Sequence, residues 1–487
     1  MRAGPAAINI LPDDVLLLIF HLDRMIYLED RDPPEPPTIR PLSSWRWRRL
    51  IHVCQRWRAV VFASPNLLDV RLVCGPRTRV ELISIWPPLP IVIKNPSGLP
   101  LPRDFDFDTV FVHHSRVCEI SLSCVTRTQL ERLVSAIEGR FPALIHLKLG
   151  FYEYGHSSPA LPDGFLDGSA RHLQSFQLHS IPFPAVPKLL LSTTDLVRLT
   201  LWDISQHDFV SPETMVTNLA VLANLKALTI GFKSRLSLPG QENRRSPPPT
   251  PTVLPALIRF EFKGVVEYLD DFLARFDAPL LNSISVSFFH EPIFDIPQLA
   301  QFMRRTTRLK ALNEVHVDFG HYSVQVGSLP PTLPFDERFG SGRLHEELSW
   351  QLPSLAQVFT SFIPSIRMVE HLYIYGRQQH IPFPFPGIPE DIQWVETLHP
   401  FTAVKNVYVS WLFAPRIASA LQGLRGEKVR DVLPALENIF LEDLWPSGPV
   451  EEAVGKFVAA RQLSGHPRAV AFSRWERQGY NFDDFPL

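Results

Sequence analysis

A chain of 487 residues is too long for one ordinary hydrophobic core, so it holds either several domains or one elongated array of repeats. With 45% hydrophobic and 20% charged residues and a formal charge of −2, it has the composition of a soluble folded protein, with no charge excess to draw it to nucleic acid or an anionic membrane. Four cysteines (Cys54, Cys74, Cys118, Cys124) without CxxC spacing argue against a disulfide framework and against structural zinc.

In chain order, the first patterned stretch is INILPDDVLLLIFHL, residues 8 to 22. Pro12 followed by Asp13 and Asp14 suits a helix N-terminus, where a missing N–H costs nothing and negative charge meets the positive end of the dipole. Val15, Leu18, Ile19 and Leu22 then form an apolar stripe at i, i+3, i+4 and i+7. The apolar run Val15 to Phe20 is too short to span a bilayer or to serve as a signal core, so the expected location is cytosol or nucleus. Residues 23 to 44 read as an insert, with five prolines between Pro33 and Pro41. A second amphipathic helix is predicted from Trp47 through Leu50, Ile51, Cys54, Trp57 and Val61 to a stop at Ser64-Pro65. Helices this short bury little surface alone and need a partner, or whatever follows them, to pack on.

From about residue 65 onward a six-residue frame recurs, apolar at its first, fourth and sixth positions. It is seen as Leu67/Val70/Leu72, Val117/Ile120/Leu122, Leu144/Leu147/Leu149 and so on to Leu436/Ile439/Leu441. Ten intervals between Val117 and Leu436 give a mean step of about 32 residues, within the solenoid range. Inside a frame the alternation is that of a strand with one buried face; between frames the period becomes helical, as in Leu130, Leu133, Val134 and Ile137 or Met215, Leu219 and Leu222. Ser211-Pro212 is an N-cap with proline at the first helical position. The step from Leu312 to Val369 is longer than the mean by nearly one repeat, which leaves room for a degenerate repeat or a projecting loop. Long loops are expected near residues 239–255, 320–350 and 376–398, where prolines cluster.

The frame, matched about a dozen times, resembles that of leucine-rich-repeat proteins. The resemblance implies an α/β fold, a solenoid of strand–helix units with a curved parallel sheet over residues 65–487. The asparagine usual after the strand is missing at sites such as Tyr152 and Ile181, so an irregular solenoid without a side-chain amide ladder is expected.

LPDDVLLLIF at the start, VCQRWRAVV at Val53 to Val61 and ASPNLLDVRL leading into the first strand together resemble an F-box, a short all-α domain, here over residues 1–64. The closing EEAVGKFVAARQLSGHP and the IWPPLPIVI of residues 85 to 93 resemble F-box families of mushroom-forming fungi. The F-box resemblance implies docking on the Skp-type adaptor, and through it on a cullin, of a ubiquitin ligase whose substrate the repeats hold. Leu11, Pro12, Val15, Ile19, Val53, Cys54 and Trp57 stand at the adaptor-binding positions. The insert between the first two helices is either a surface loop or a sign that the F-box has drifted. A free-standing interaction scaffold, whose helices only cap the solenoid, is the alternative.

Outward strand positions carry Trp202, His371, Tyr373, Tyr375, Tyr408 and Phe440, amphipathic groups of the kind enriched at binding hot spots, and these are the candidate substrate contacts; the other reading packs them under long loops. Ser283, Ser285 and Ser287 make one strand nearly featureless. No phosphate-cradling, zinc or acyl-transfer motif is present, so neither an enzyme nor a cofactor is expected; Asp270-Asp271 reads as a solvated helix face.

Overall fold

The computed structural model describes residues 11–29, 46–65, 67–75, 80–95, 102, 105–136, 141–151, 158–166, 171–205, 210–233, 250–288, 296–306, 308–309, 313–319, 324–328, 355–356, 359, 366–376, 390–442, 448–465 and 470–475. Two compact units divide the chain, Met1–Thr193 and Thr194–Leu487.

The first unit opens with α1 (Asp13–Glu29), α2 (Arg46–Ile51) and α3 (Gln55–Ala63). Helix α1 starts where expected, with the Leu16 N–H donating to the Pro12 carbonyl at 3.0 Å, but it runs on through Glu29, taking in residues assigned to the insert; Pro33 to Pro41 lie outside the described residues. The single helix expected from Trp47 to Val61 is two helices. The chain tightens at its first end through His52 N–H to Arg49 and Val53 N–H to Leu50, then extends at Cys54, whose φ of −160° and thiol acceptor for the Trp57 N–H begin α3.

Five parallel strands follow in the same unit: β1 (Leu72–Cys74), β2 (Ile91–Lys94), β3 (Val117–Val125), β4 (His146–Phe151) and β5 (Ser175–His179). Helices α4 (Phe107–Phe111) and α5 (Arg127–Ala136) fall between strands, and α6 (Val186–Ser192) after them. Parallel neighbours require such crossovers, which is why strand and helix alternate.

The second unit carries ten strands ordered β6-β7-β9-β11-β13-β12-β14-β15-β16-β17. They are β6 (Arg198–Ile204), β7 (Ala227–Phe232), β9 (Arg259–Gly264), β11 (Ser283–Phe288), β12 (Glu314–Phe319), β13 (Val324–Gly327), β14 (His371–Gly376), β15 (Asn406–Val409), β16 (Asn438–Glu442) and β17 (Ala471–Trp475). A separate pair joins β8 (Thr252–Val253) to β10 (Phe276–Asp277). Helices α7 (Pro212–Leu219), α8 (Val266–Leu273) and α9 (Pro297–Arg305) lie between the earlier strands, and Glu390–Leu398, Ala414–Gln422 and Pro449–Leu463 between the later ones. Residues 390–398, expected as part of a loop, are thus helical, and Trp394 is among the largest fully buried side chains.

Within each unit all recorded pairings are parallel except those of β13, which runs antiparallel between β11 and β12. The extra length between Leu312 and Val369 therefore contains a strand turned back into the sheet, a third outcome beside the degenerate repeat and the projecting loop. Ser328 locks it: its N–H donates to the Ile284 carbonyl at 3.1 Å and its hydroxyl accepts from the Ile284 N–H at 3.2 Å.

Every described frame position from Val117 to Leu441 is buried, which places the apolar interior on the side of the sheet facing the helices. Leu67 is the exception, 45% exposed in a turn before β1. Two regularities hold the repeats in register. The carbonyl of the second frame residue accepts both the second and third N–H groups of the next repeat, as Lys226 does from Ile258 and Arg259, and Glu370 from Lys405 and Asn406. Seven residues past the frame start, Cys124, Ser180 and Asp203 each take a positive φ of 55 to 60°, and β3 and β6 shift register there. The left-handed residue makes a bulge that turns the chain out of the strand.

Candidate interaction surfaces

Leu16 and Phe20, one turn apart on α1, form the buried face of the N-terminal helices, with Phe20 against Trp57 at 4.7 Å between ring centroids. Arg56 of α3 ties down the start of α1 through the Asp13 carboxylate at 2.7 Å and the Leu11 carbonyl. Most of the apolar stripe faces out: Leu18 is 56% exposed, Ile19 40% and Leu22 50%, with Val53 on the turn between α2 and α3 at 57%. Of the remaining adaptor-binding positions, Leu11, Val15 and Trp57 are half-buried, and Pro12 and Cys54 exposed. Among the described residues α1 thus has two apolar faces, one packed through Phe20 on Trp57 and one exposed. On their other side α2 and α3 meet the chain ahead of β2, with Trp86 edge-on to Trp47 at 5.8 Å and to Phe62 at 6.4 Å.

On the face of the first unit's sheet away from the frame residues, charges are interleaved. Arg71 pairs with Asp69 at 2.6 Å and approaches Glu119 at 3.6 Å. Burial pushes the Glu119 carboxyl up, with Arg71 and Lys94 pulling it back, and burial pulls the Lys94 ammonium down against the pull of Glu119.

The corresponding face of the second unit is aromatic. His316, Tyr373, Tyr408 and Phe440 stand opposite one another in strand register on β12, β14, β15 and β16. Their rings stack face to face, at centroid separations of 4.3, 4.2 and 4.6 Å with planes within 9° of parallel. In-register parallel strands repeat the same side-chain position at each step, so planar groups there must stack. One row toward the strand starts, the Asn438 amide donates to Asn406 at 2.8 Å and Asn406 meets His371 at 3.3 Å. This short polar row lies on the sheet's outer face at the strand starts, a different place from the asparagine position after the strand. At the far edge Tyr375 is buried, its hydroxyl 3.1 Å from His316 Nδ1, and Trp202 is buried on β6 with Lys263 5.3 Å above its ring. His371, Tyr373, Tyr408 and Phe440 remain half-buried. Of the three serines, Ser283 and Ser287 are buried.

Glu314 completes the group. Its carboxylate lies 3.6 Å from His316 Nε2, and this contact holds it below its ordinary value, against burial and helped by the His316 and His371 charges. The acid pair on α8 is not a solvated face: Asp270 accepts the Gln298 N–H at 2.9 Å at the start of α9, and Asp271 pairs with Arg275 at 2.9 Å. Among the described residues no three His, Cys, Asp or Glu side chains gather as metal ligands, and no helix is long and apolar enough to cross a membrane.

These elements define a mixed α/β protein of strand–helix repeats on largely parallel sheets, leucine-rich-repeat-like in its frame and strand–helix order. No protein-family model matches the chain, and no curated protein does. Among solved structures it is similar to the leucine-rich repeat-containing protein LegL7 from Legionella pneumophila, with 12% identity, a TM-score of 0.30, and coverage of 77% of this chain and 98% of that one. At that score the likeness adds nothing to the fold as built from its own strands.

Proposed function

We propose that this chain is the substrate-recognition subunit of a Skp–cullin–F-box type ubiquitin ligase, non-catalytic and without a cofactor. In this reading α1 and the α2–α3 turn dock on the Skp-type adaptor, and the outer face of the repeat sheet holds a protein substrate. The observation that carries it is the uncovered apolar face of α1, Leu18, Ile19 and Leu22, on a helix already anchored through Leu16 and Phe20. Leu11, Pro12, Val15, Ile19 and Val53 are the contact residues, Cys54 caps α3, and Trp57 holds α1 in place through Phe20.

A second reading has its own support. The packing of Trp47 and Phe62 on Trp86 suits helices that merely cap the repeats of a free-standing interaction scaffold.

Pull-down of a purified Skp-type adaptor by the full chain decides between them. Replacing both Leu18 and Ile19 with serine is expected to abolish capture while circular dichroism and thermal unfolding stay near wild type. A chain that never captures the adaptor, or captures it equally well after those substitutions, leaves the scaffold.

A further inference from the structure

Within the second unit the outer sheet face changes sign along the strand order. On β6, β7 and β9 its positions include Arg198, Arg259 and Lys263 beside one carboxylate, Glu261. On β12 and β16 they include the part-exposed Glu314 and the buried Asp318 and Glu442, and none on these strands or on β14 and β15 is lysine or arginine. Lys405, at the strand entrance, is already paired with Glu370 at 2.7 Å. The serine strand β11 and the inserted β13 lie between the two regions.

The aromatic ladder crosses these strands, with Glu314 the accessible carboxylate beside it, and stops at both ends for want of a ring. Beside His316 the register partner is Gly327, and beside Phe440 it is Ser473, which is exposed. One face of Phe440 stacks on Tyr408 and the other looks toward that serine. A planar cation stacks on such a ring and gains from its quadrupole. Arginine suits the place better than lysine, since its guanidinium is flat, weakly hydrated and forks onto carboxylates. Glu314, held from beneath by the almost fully buried His316, presents a carboxylate at the ladder's other end.

We infer that the β12–β16 face takes an extended, arginine-bearing protein segment, with one guanidinium continuing the ladder over Phe440 and a second cation at Glu314. The inference rests on the reading that the sheet face binds protein, and it adds the chemistry of what is bound.

The test pans a displayed library of random peptides on the full chain, on Phe440→Ala and on Glu314→Gln, each checked for folding by thermal unfolding. Peptides enriched on wild type, rich in arginine and lost on both variants are expected. A selected peptide should bind about tenfold less tightly to either variant by fluorescence anisotropy, and about tenfold less tightly to wild type when its arginines are lysines. Glu451→Gln with Glu452→Gln, on the first turn of the Pro449–Leu463 helix, should leave affinity unchanged. Variant-sensitive peptides without arginine overturn the cationic partner and leave the binding face standing. A library yielding no variant-sensitive peptide overturns both.

Discussion

His316 stacks on Tyr373 with ring centroids 4.3 Å apart and planes 6° from parallel, and its Nε2 stands 3.6 Å from the Glu314 carboxylate. The contact ties a surface carboxylate to a buried ring, so its effect is visible in the pH dependence of folding. Glu314 titrates below its unfolded value of 4.5, chiefly through its contact with His316. A carboxyl whose folded pKa is depressed stabilises the fold above the unfolded pKa and loses that contribution as pH falls through the folded one. Thermal midpoints followed from pH 7 down to pH 3 should therefore fall less steeply below pH 4.5 in Glu314→Gln than in wild type. Parallel acid limbs would refute the contact.

The two faces of α1 should separate cleanly under mutation. Leu16 is fully buried, so Leu16→Ala is expected to cost about 2–5 kcal/mol of stability in denaturant titration. Leu18→Ser, on the exposed face, should change stability by about 0.5 kcal/mol or less. A large loss at Leu18 would mean that its face is covered within the chain.

Gly231 lies on β7 under the Trp202 ring, and a Cβ added there would come within 2.5 Å of Trp202 Cε3. The indole cannot yield without leaving its place beneath Lys263. Gly231→Ala should cost about 1–3 kcal/mol and shift tryptophan emission to the red; an unchanged spectrum would refute the packing.

Arg461, almost wholly buried, donates to the carbonyls of Leu433 at 3.0 Å and Pro434 at 3.1 Å, closing the turn ahead of β16, where Leu433 has a φ of 50°. Burial lowers its pKa to about 10, so it stays charged at neutral pH. Arg461→Met strands those carbonyls and should cost about 2–4 kcal/mol in thermal or denaturant unfolding.

Much of the repeat core could be read directly, because the LxxLxL frame records which side chains point inward; Val117, Leu147, Phe176, Leu199 and the other described frame positions through Leu441 are buried, with Leu67 the exception. The bulges could not. Cys124, Ser180 and Asp203 share a left-handed backbone but no glycine and no common chemistry, so no residue type announces them. The ladder was legible only as a set of candidates: Tyr373, Tyr408 and Phe440 were singled out, whereas His316, its first ring, was missed for lack of a reason to place it in their row.

By itself the sequence determined local periodicity: which residues alternate, where helices begin, and how often the unit recurs, since these follow from the two and 3.6 residue periods of strand and helix. Which of two apolar faces on α1 is used, where β13 inserts, and which rings stack were decided only by the tertiary structure. Each of these depends on pairing between segments far apart in the chain, and a hydrophobic pattern fixes the side a residue faces without naming its neighbour.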